Sequence, residues 1–267
     1  MTRRRTLVAV GVVLAAVLVV GILLTQRNDA RPVGLDEAKA RTTSTGVTSS
    51  VAAADSARPD PGVYEYEGSG TDALSVPPLS QEAGPTMPAT VALVGDDCWT
   101  FRIDYSTNHW QEWEHCLVGD DLVESGGTTW QRWMIGATAI TNTTTVVCDP
   151  GAMVLPSTPR PDQRWTGRCV ATNGEVEGES VSEGPYRYVG EEELEVDGTR
   201  VATRHFVSDR TMSGAQVGTD HSEVWVTVED GLPVRNEHRI EVRTDTVVGE
   251  STYTETGEFH LVSLEPA

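Results

Sequence analysis

From Pro61 to the C-terminus, apolar and polar positions alternate in short segments separated by Gly, Asp-Gly, Asn and Pro, and no stretch sustains a helical period. A period of two sends successive side chains to opposite faces, so the pattern predicts half-buried β-strands. The candidate strands run over 63–68, 89–94, 97–105, 110–118, 128–135, 143–149, 165–171, 186–196, 199–207, 221–229, 233–243 and 251–264. Pro77, Pro78, Pro85 and Pro88 make 72–88 a loop, and "DPGAMVLPSTPRPDQ" makes 149–163 another. The fold class that follows is all-β: one large antiparallel sheet domain, either an open half-barrel or a sandwich.

Two hairpins are specified closely enough to argue their register. "EVDGTRV" sets Asp197-Gly198 between alternating segments, the dipeptide that suits a two-residue type I′ turn. In "VWVTVEDGLPVRNEHRIEV", Val224, Val226 and Val228 share one face, and Val234, Asn236, His238, Ile240 and Val242 share another. A two-residue turn at Asp230-Gly231 would oppose the valines to Arg235, Glu237, Arg239 and Glu241. A three-residue turn through Leu232 opposes them to the largely apolar set instead, and is preferred.

Four cysteines in an exported domain are most simply two disulfides, for which sequence alone permits three connectivities. A third hairpin, "CWTFRIDYSTNHWQEWEHC", selects one of them. With its turn centred on Thr107, Cys98 faces Cys116, Arg102 faces Glu112 and Phe101 faces Trp113, and antiparallel partners have the Cα separation that a disulfide needs. Asn108 then ends a three-residue loop in a left-handed conformation. Cys148 and Cys169 are left to each other. Parity puts Trp99, Phe101, Ile103, Tyr105 and Trp113 on a core face, and Thr100, Arg102, Asp104, Trp110, Glu112 and Glu114 on a solvated face with the disulfide. The two tryptophans of "WQEW" therefore point opposite ways, and so do Trp130 and Trp133 of "WQRW", although there parity alone leaves open which is buried.

The start of the chain has a different pattern. Residues 7–24, "LVAVGVVLAAVLVVGILL", form an uncharged apolar run of membrane-spanning length, preceded by Arg3, Arg4 and Arg5. The first cysteine is Cys98, too far along for a lipoprotein signal, and the nearest small-x-small site, Ala38-Lys39-Ala40, lies well past the run. An uncleaved single-pass signal anchor is thus preferred to secretion after cleavage. The expected organisation is a cytoplasmic stub at 1–6, a transmembrane anchor at 7–24, a flexible tether at 25–60 and an extracytoplasmic β domain at 61–267, with the plasma membrane as its location. A short helix at "LDEAKAR" is the one structured element considered in the tether.

Charge follows the same division. The chain totals −20, and because residues 1–27 hold four arginines and no acid, the remainder stands at −24. Such a domain is a poor partner for nucleic acid or anionic lipid, and most of the charge reads as a solvated surface. One lysine against nineteen arginines resembles the residue usage of high-GC actinobacterial proteins.

Candidate chemistry is sparse. Trp110, beside His109, is a candidate surface anchor for a glycan or a partner protein. The third hairpin's register gathers Asp96, Asp97, Asp120 and Asp121 at one end, an oxygen-rich group considered for calcium and disfavoured because neither segment has a calcium-loop pattern. Six histidines, at 109, 115, 205, 221, 238 and 260, show no ligand spacing, and His238 reads as an inward core residue. No Cys-x-x-Cys, Gly-x-Ser-x-Gly, Ser-x-x-Lys or phosphate-loop pattern occurs, so neither an enzyme, a cofactor nor a metal is expected.

The long antiparallel strands and the "GLPVR" turn after a Val-rich strand, within residues 186–264, resemble the open half-barrel lipoprotein carriers of the LolA and mycobacterial lipoprotein type. That resemblance implies a cavity for a lipid or other apolar molecule. The chain departs from those families in lacking lipid-covering helices and the lipobox cysteine. The reading that follows is an envelope binding or interaction domain whose partner is an envelope protein, a glycan or a lipid, with a carrier or sensor of an apolar molecule as the alternative.

Overall fold

The structure, a computed structural model, describes residues 28, 30–44, 58–149, 154–246 and 249–267. The stub and anchor expected at 1–24 lie outside the described residues. Among the described residues no helix is long and apolar enough to cross a membrane.

Among the described residues one helix, α1 (Leu35–Ser44), precedes fifteen strands: β1 (Gly62–Tyr64), β2 (Tyr66–Leu74), β3 (Leu79–Ala83), β4 (Ala89–Val94), β5 (Cys98–Ser106), β6 (His109–Val118), β7 (Asp121–Ile135), β8 (Thr138–Cys148), β9 (Val154–Leu155), β10 (Arg164–Asn173), β11 (Val176–Val196), β12 (Thr199–Gly214), β13 (Gln216–Thr227), β14 (Pro233–Thr246) and β15 (Gly249–Leu261). They form one antiparallel sheet in the order β1-β4-β5-β6-β7-β8-β10-β11-β12-β13-β14-β15-β2-β3, with β9 paired to β7. From β4 to β15 it is an up-and-down meander in which each main strand pairs with the next, through short turns except for residues 149–163, which hold β9 and join β8 to β10. The all-β expectation holds, as a single open sheet rather than a two-sheet sandwich.

The sheet is rolled. β1 and β2 stand first and thirteenth in the strand order, yet only Glu65 separates them in the chain. The far ends of the sheet must therefore meet. Past β3, the Gly84 N–H donates to the Tyr105 carbonyl of β5 (3.0 Å) and the Met87 N–H to the Tyr66 carbonyl (2.9 Å). One face of every strand consequently points into a shared interior. Along β15 and its neighbours that interior has three layers. Phe259 and Leu261 pack with Tyr66, Phe101, Trp99 and Met87 in an aromatic plug. Glu255 and Tyr253 follow in a polar belt, and Ser251 lies at an open cavity. Each fully buried large side chain of the plug contributes about 1.5–3 kcal/mol by leaving water.

The hairpin readings hold in part. Cys98↔Cys116, Phe101↔Trp113 and Arg102↔Glu112 pair as expected. The register shifts after Asp104, so that Ser106 pairs with His109 around a two-residue turn, and Asn108 is not left-handed. Val196 pairs with Thr199 around Asp197 (φ 48°) and Gly198 (φ 74°), the two positive φ angles of a type I′ turn. In the β13–β14 hairpin, Val224 opposes Asn236, so the preferred parity is correct, but Val226 opposes Pro233 and the turn is longer than three residues. Thr227 Oγ1 and Asp230 Oδ1 both accept from the Leu232 amide, and these side-chain bonds stabilise the longer loop.

Three expectations need correction. The Pro-rich loop at 72–88 contains β3, and the loop at 149–163 contains β9, because edge positions tolerate nearby prolines. The tether assigned to 25–60 is docked over part of its length: Asn28, Val33 and Ala38 are buried, and α1 packs Ala38 and Leu35 against Val63. Its Arg41 reaches Asp104 at 3.0 Å, and so Asp104, assigned to a solvated face, is buried between Arg41 and Arg102.

Both disulfides form, Cys98–Cys116 on the outer face and Cys148–Cys169 on the inner one. Peptide mapping without reduction is expected to find those two links and no other. Replacing Cys148 and Cys169 with Ser is expected to cost about 3 kcal/mol in urea denaturation, from the entropy regained by the unfolded chain.

Candidate functional site

The polar belt begins with an uncomfortable pairing. Asp72 of β2 and Glu255 of β15 are direct register partners on the inward face, and both are 4% exposed. Like charges directly opposed across a ladder repel, and burial magnifies the repulsion. His109 answers them from the opposite wall: its Nδ1 lies 2.9 Å from Asp72 Oδ2, although out of line for a hydrogen bond. Burial alone would drive the imidazolium to a low pKa, but the charges of Asp72 and Glu255 outweigh it and hold His109 up to about 9. Glu255, for its part, resists burial and stays well below the usual carboxylate range because His109 and His238 face it.

A second ring of groups orients these three. Gln81 donates to Asp72 Oδ2 at 3.1 Å, and the Tyr253 hydroxyl donates to Glu255 Oε2 at 2.6 Å. Gln131 donates to the Tyr253 hydroxyl, and its amide lies 3.5 Å from His109 Nε2. His238 sits with Nε2 2.9 Å from Glu255 Oε1 and Nδ1 3.1 Å from Asn236 Oδ1, partnered and inward as expected. Its ring lies against Gly257, where a Cβ would come within 2.8 Å of the imidazole.

Beyond the belt the interior opens into a cavity of about 400 Å³, within the usual size range for small-molecule sites. Trp113, Trp133, Ile135, Ile140, Met212 and Val242 give it an apolar lining. A smaller cavity of about 100 Å³ lies on the other side of Trp113, Glu124, Arg210 and Asp220, which border both. Arg210 is ion-paired to Asp220. Burial raises Glu124 to about 6, with Arg210 opposing and Asp220 adding to the shift.

The residues singled out in the sequence are distributed differently from that expectation. Trp110 faces outward, but it stacks on its register partner Trp130 (centroids 6.3 Å apart) with the Arg102 guanidinium 4.0 Å above it, leaving it half-buried. Trp133 is the buried member of its pair, edge-on to Tyr253. His109, expected at the surface, is 1% exposed, because residues 30–34 and the end of β7 cover its turn: the Thr107 amide donates to Arg31 and the Arg132 amide to Asn108. Asp96, Asp97, Asp120 and Asp121 form no ligand group among the described residues; the first three are exposed turn residues, and Asp121 accepts from the Ser157 amide and hydroxyl. Asp72, Glu255, Gln131, Tyr253, Glu124 and Arg210 carry no local signal. Gln131 and Tyr253, for example, are 122 residues apart in the chain.

Fold and site together define a disulfide-bonded, rolled antiparallel sheet with a polar belt and an internal cavity, and the disulfides place it in an oxidising compartment outside the cytoplasm. No family matches the chain, and no curated protein does. Among solved structures, it has a loose likeness to the hypothetical lipoprotein YmcC of Escherichia coli (K12), at 12% identity and a TM-score of 0.33, covering 75% of this chain and 85% of that one. At that score the likeness carries no argument about fold or function.

The belt has a pH signature. His109 has a folded pKa above its ordinary 6.5, so its stabilisation is complete below that value and is lost as pH rises toward 9. Glu255 has a folded pKa below its ordinary 4.5, so its stabilisation is present above that value and is lost on acidification. In chelator-treated protein, the stability difference between wild type and His109→Gln is therefore expected to peak between these two ordinary values and shrink above them. Urea denaturation across pH measures it, and a difference that stays flat from neutral pH to 9 would show that His109 is uncharged.

Proposed function

We propose that this chain is an extracytoplasmic, envelope-associated binding domain that takes a small apolar molecule into its rolled sheet, and that it holds the molecule without transforming it. The observation that supports this reading is the cavity of about 400 Å³. Its walls come from inward-facing positions of β7, β8, β10 and β12–β15, with Trp133, Ile135, Ile140 and Val242 in its apolar lining. An apolar-lined space of this size suits a small-molecule site. The polar belt closes the inner end, so an occupant would lie between the belt and the open end of the strands.

On this reading the apolar run at 7–24 holds the domain at the membrane and the LolA-like carriers are the nearest functional analogy; both are inferences from the sequence. A second reading uses the outer face, where the half-buried Trp110–Trp130 stack under Arg102 offers a platform for a glycan ring or a partner protein.

Native mass spectrometry of the protein purified from membranes, together with titration by a fluorescent fatty acid, tests the cavity. The expected result is one bound probe with quenching of tryptophan emission. Thr144→Trp, on the cavity wall in β8, is expected to weaken binding at least about tenfold while leaving the circular dichroism spectrum unchanged. Probe binding unaffected by Thr144→Trp but abolished by Trp110→Ala would favour the outer face instead.

A further inference from the structure

We propose that Asp72, His109 and Glu255 form a binding site for one divalent transition-metal ion, with zinc the first to test. The inference is independent of what occupies the cavity. One donor atom from each of the three residues lies within 4.8 Å of the other two, and all three residues are buried. The donors come from β2, β6 and β15, so an ion would bridge opposite walls of the roll.

Three observations favour an ion over an arrangement of protons alone. The first is charge: two carboxylates opposed across a ladder and 4% exposed require about two positive charges, which a divalent cation supplies at one point. The second is alignment. His109 Nδ1, on a side chain 1% exposed, is ion-paired to Asp72 Oδ2 at 2.9 Å without a well-aligned hydrogen bond. Two ligands of one metal, each about 2.1 Å from it, lie about 3.0–3.4 Å apart and have no need to point at one another. The Oε1 of Gln81 and the hydroxyl of Tyr105, which pack against Asp72 and His109, are also buried without partners.

The third is the surrounding shell. Metal-bound imidazoles and carboxylates are held by outer hydrogen bonds. Here Gln81 holds Asp72, Tyr253 and His238 hold Glu255, and the Gln131 amide stands by His109 Nε2. A ring nitrogen with two carboxylate oxygens suits zinc, manganese or iron(II), whereas calcium takes oxygen ligands only. The site is reachable, since Glu255, Tyr253 and Gln131 also line the large cavity.

Titration of the chelator-treated full chain with cobalt(II) and zinc tests the proposal. One equivalent is expected to bind, with a visible cobalt spectrum that zinc displaces and a higher thermal midpoint. Asp72→Asn and His109→Gln are each expected to weaken binding by about 10–100-fold, while Asp96→Asn, in an exposed turn, leaves it unchanged. If either variant fails to fold, the ligand-field spectrum of the cobalt-loaded wild-type protein serves instead, because a ring nitrogen with two carboxylate oxygens gives a low-symmetry site whose bands differ from those of hydrated cobalt. Absence of stoichiometric binding, a spectrum of hydrated cobalt only, or equal binding by folded His109→Gln would each overturn the assignment.

Discussion

Between β1 and β2 the chain has one residue, Glu65, in which to pass from one end of the strand order to the other. Flanking Cα atoms are then at most about 7 Å apart, so a sheet of this many strands can satisfy the link only by curling until its ends touch. The right-handed twist of strands supplies the curvature, and the Gly84–Tyr105 and Met87–Tyr66 hydrogen bonds hold the seam. Once rolled, the sheet has an inside, and every inward position must find company there or leave a space. At the seam the company is aromatic: Tyr66 from β2 lies edge-on to Phe101 from β5 and Phe259 from β15. Away from the seam the walls diverge, and the cavity is what remains.

How much of this is legible in the sequence depends on chain separation. The Cys98–Cys116 bridge and the outward Trp110 follow from a period of two and a turn position, both local properties. Asp72 and Glu255 become neighbours only through closure of the roll, and nothing around either residue marks it: "GTDAL" and "YTETG" read as ordinary strand sequence. The rolled closure itself was within reach, since a strand at 63–68 interrupted near Glu65 is the link that imposes it. The break is invisible to a pattern of apolar and polar positions, because Val63, Tyr64 and Tyr66 look like one uneven strand.

Two misplacements share one cause. His109 next to a hairpin turn reads as exposed, because turns ordinarily face water, and residues 28–44 read as tether, because they contain few bulky apolar groups. In the structure each corrects the other. Residues 30–34 cross the turn, exchanging hydrogen bonds between Arg31 and Thr107, while Asn28 accepts from the Met134 amide and Val33 is buried. What docks this segment is mostly backbone hydrogen bonding and the Arg41–Asp104 pair, neither of which composition measures.

The belt between plug and cavity is not explained by stability. A buried ion pair is often matched or bettered by apolar side chains of similar volume, and the Asp72–Glu255 pair begins from repulsion. A pair of leucines at these positions would extend the plug and shrink the cavity. Two other consequences of the charges remain. Register is one: slipping β2 by one residue against β15 would turn Asp72 outward and leave Glu255 opposite Thr71 or Ala73, so a requirement that both face His109 singles out one alignment. The other is contact with the cavity: Glu255 lines it, and so do Tyr253 and Gln131, which are joined to Glu255 by hydrogen bonds. Closure of the sheet and occupancy of its interior are thereby tied to the same few side chains.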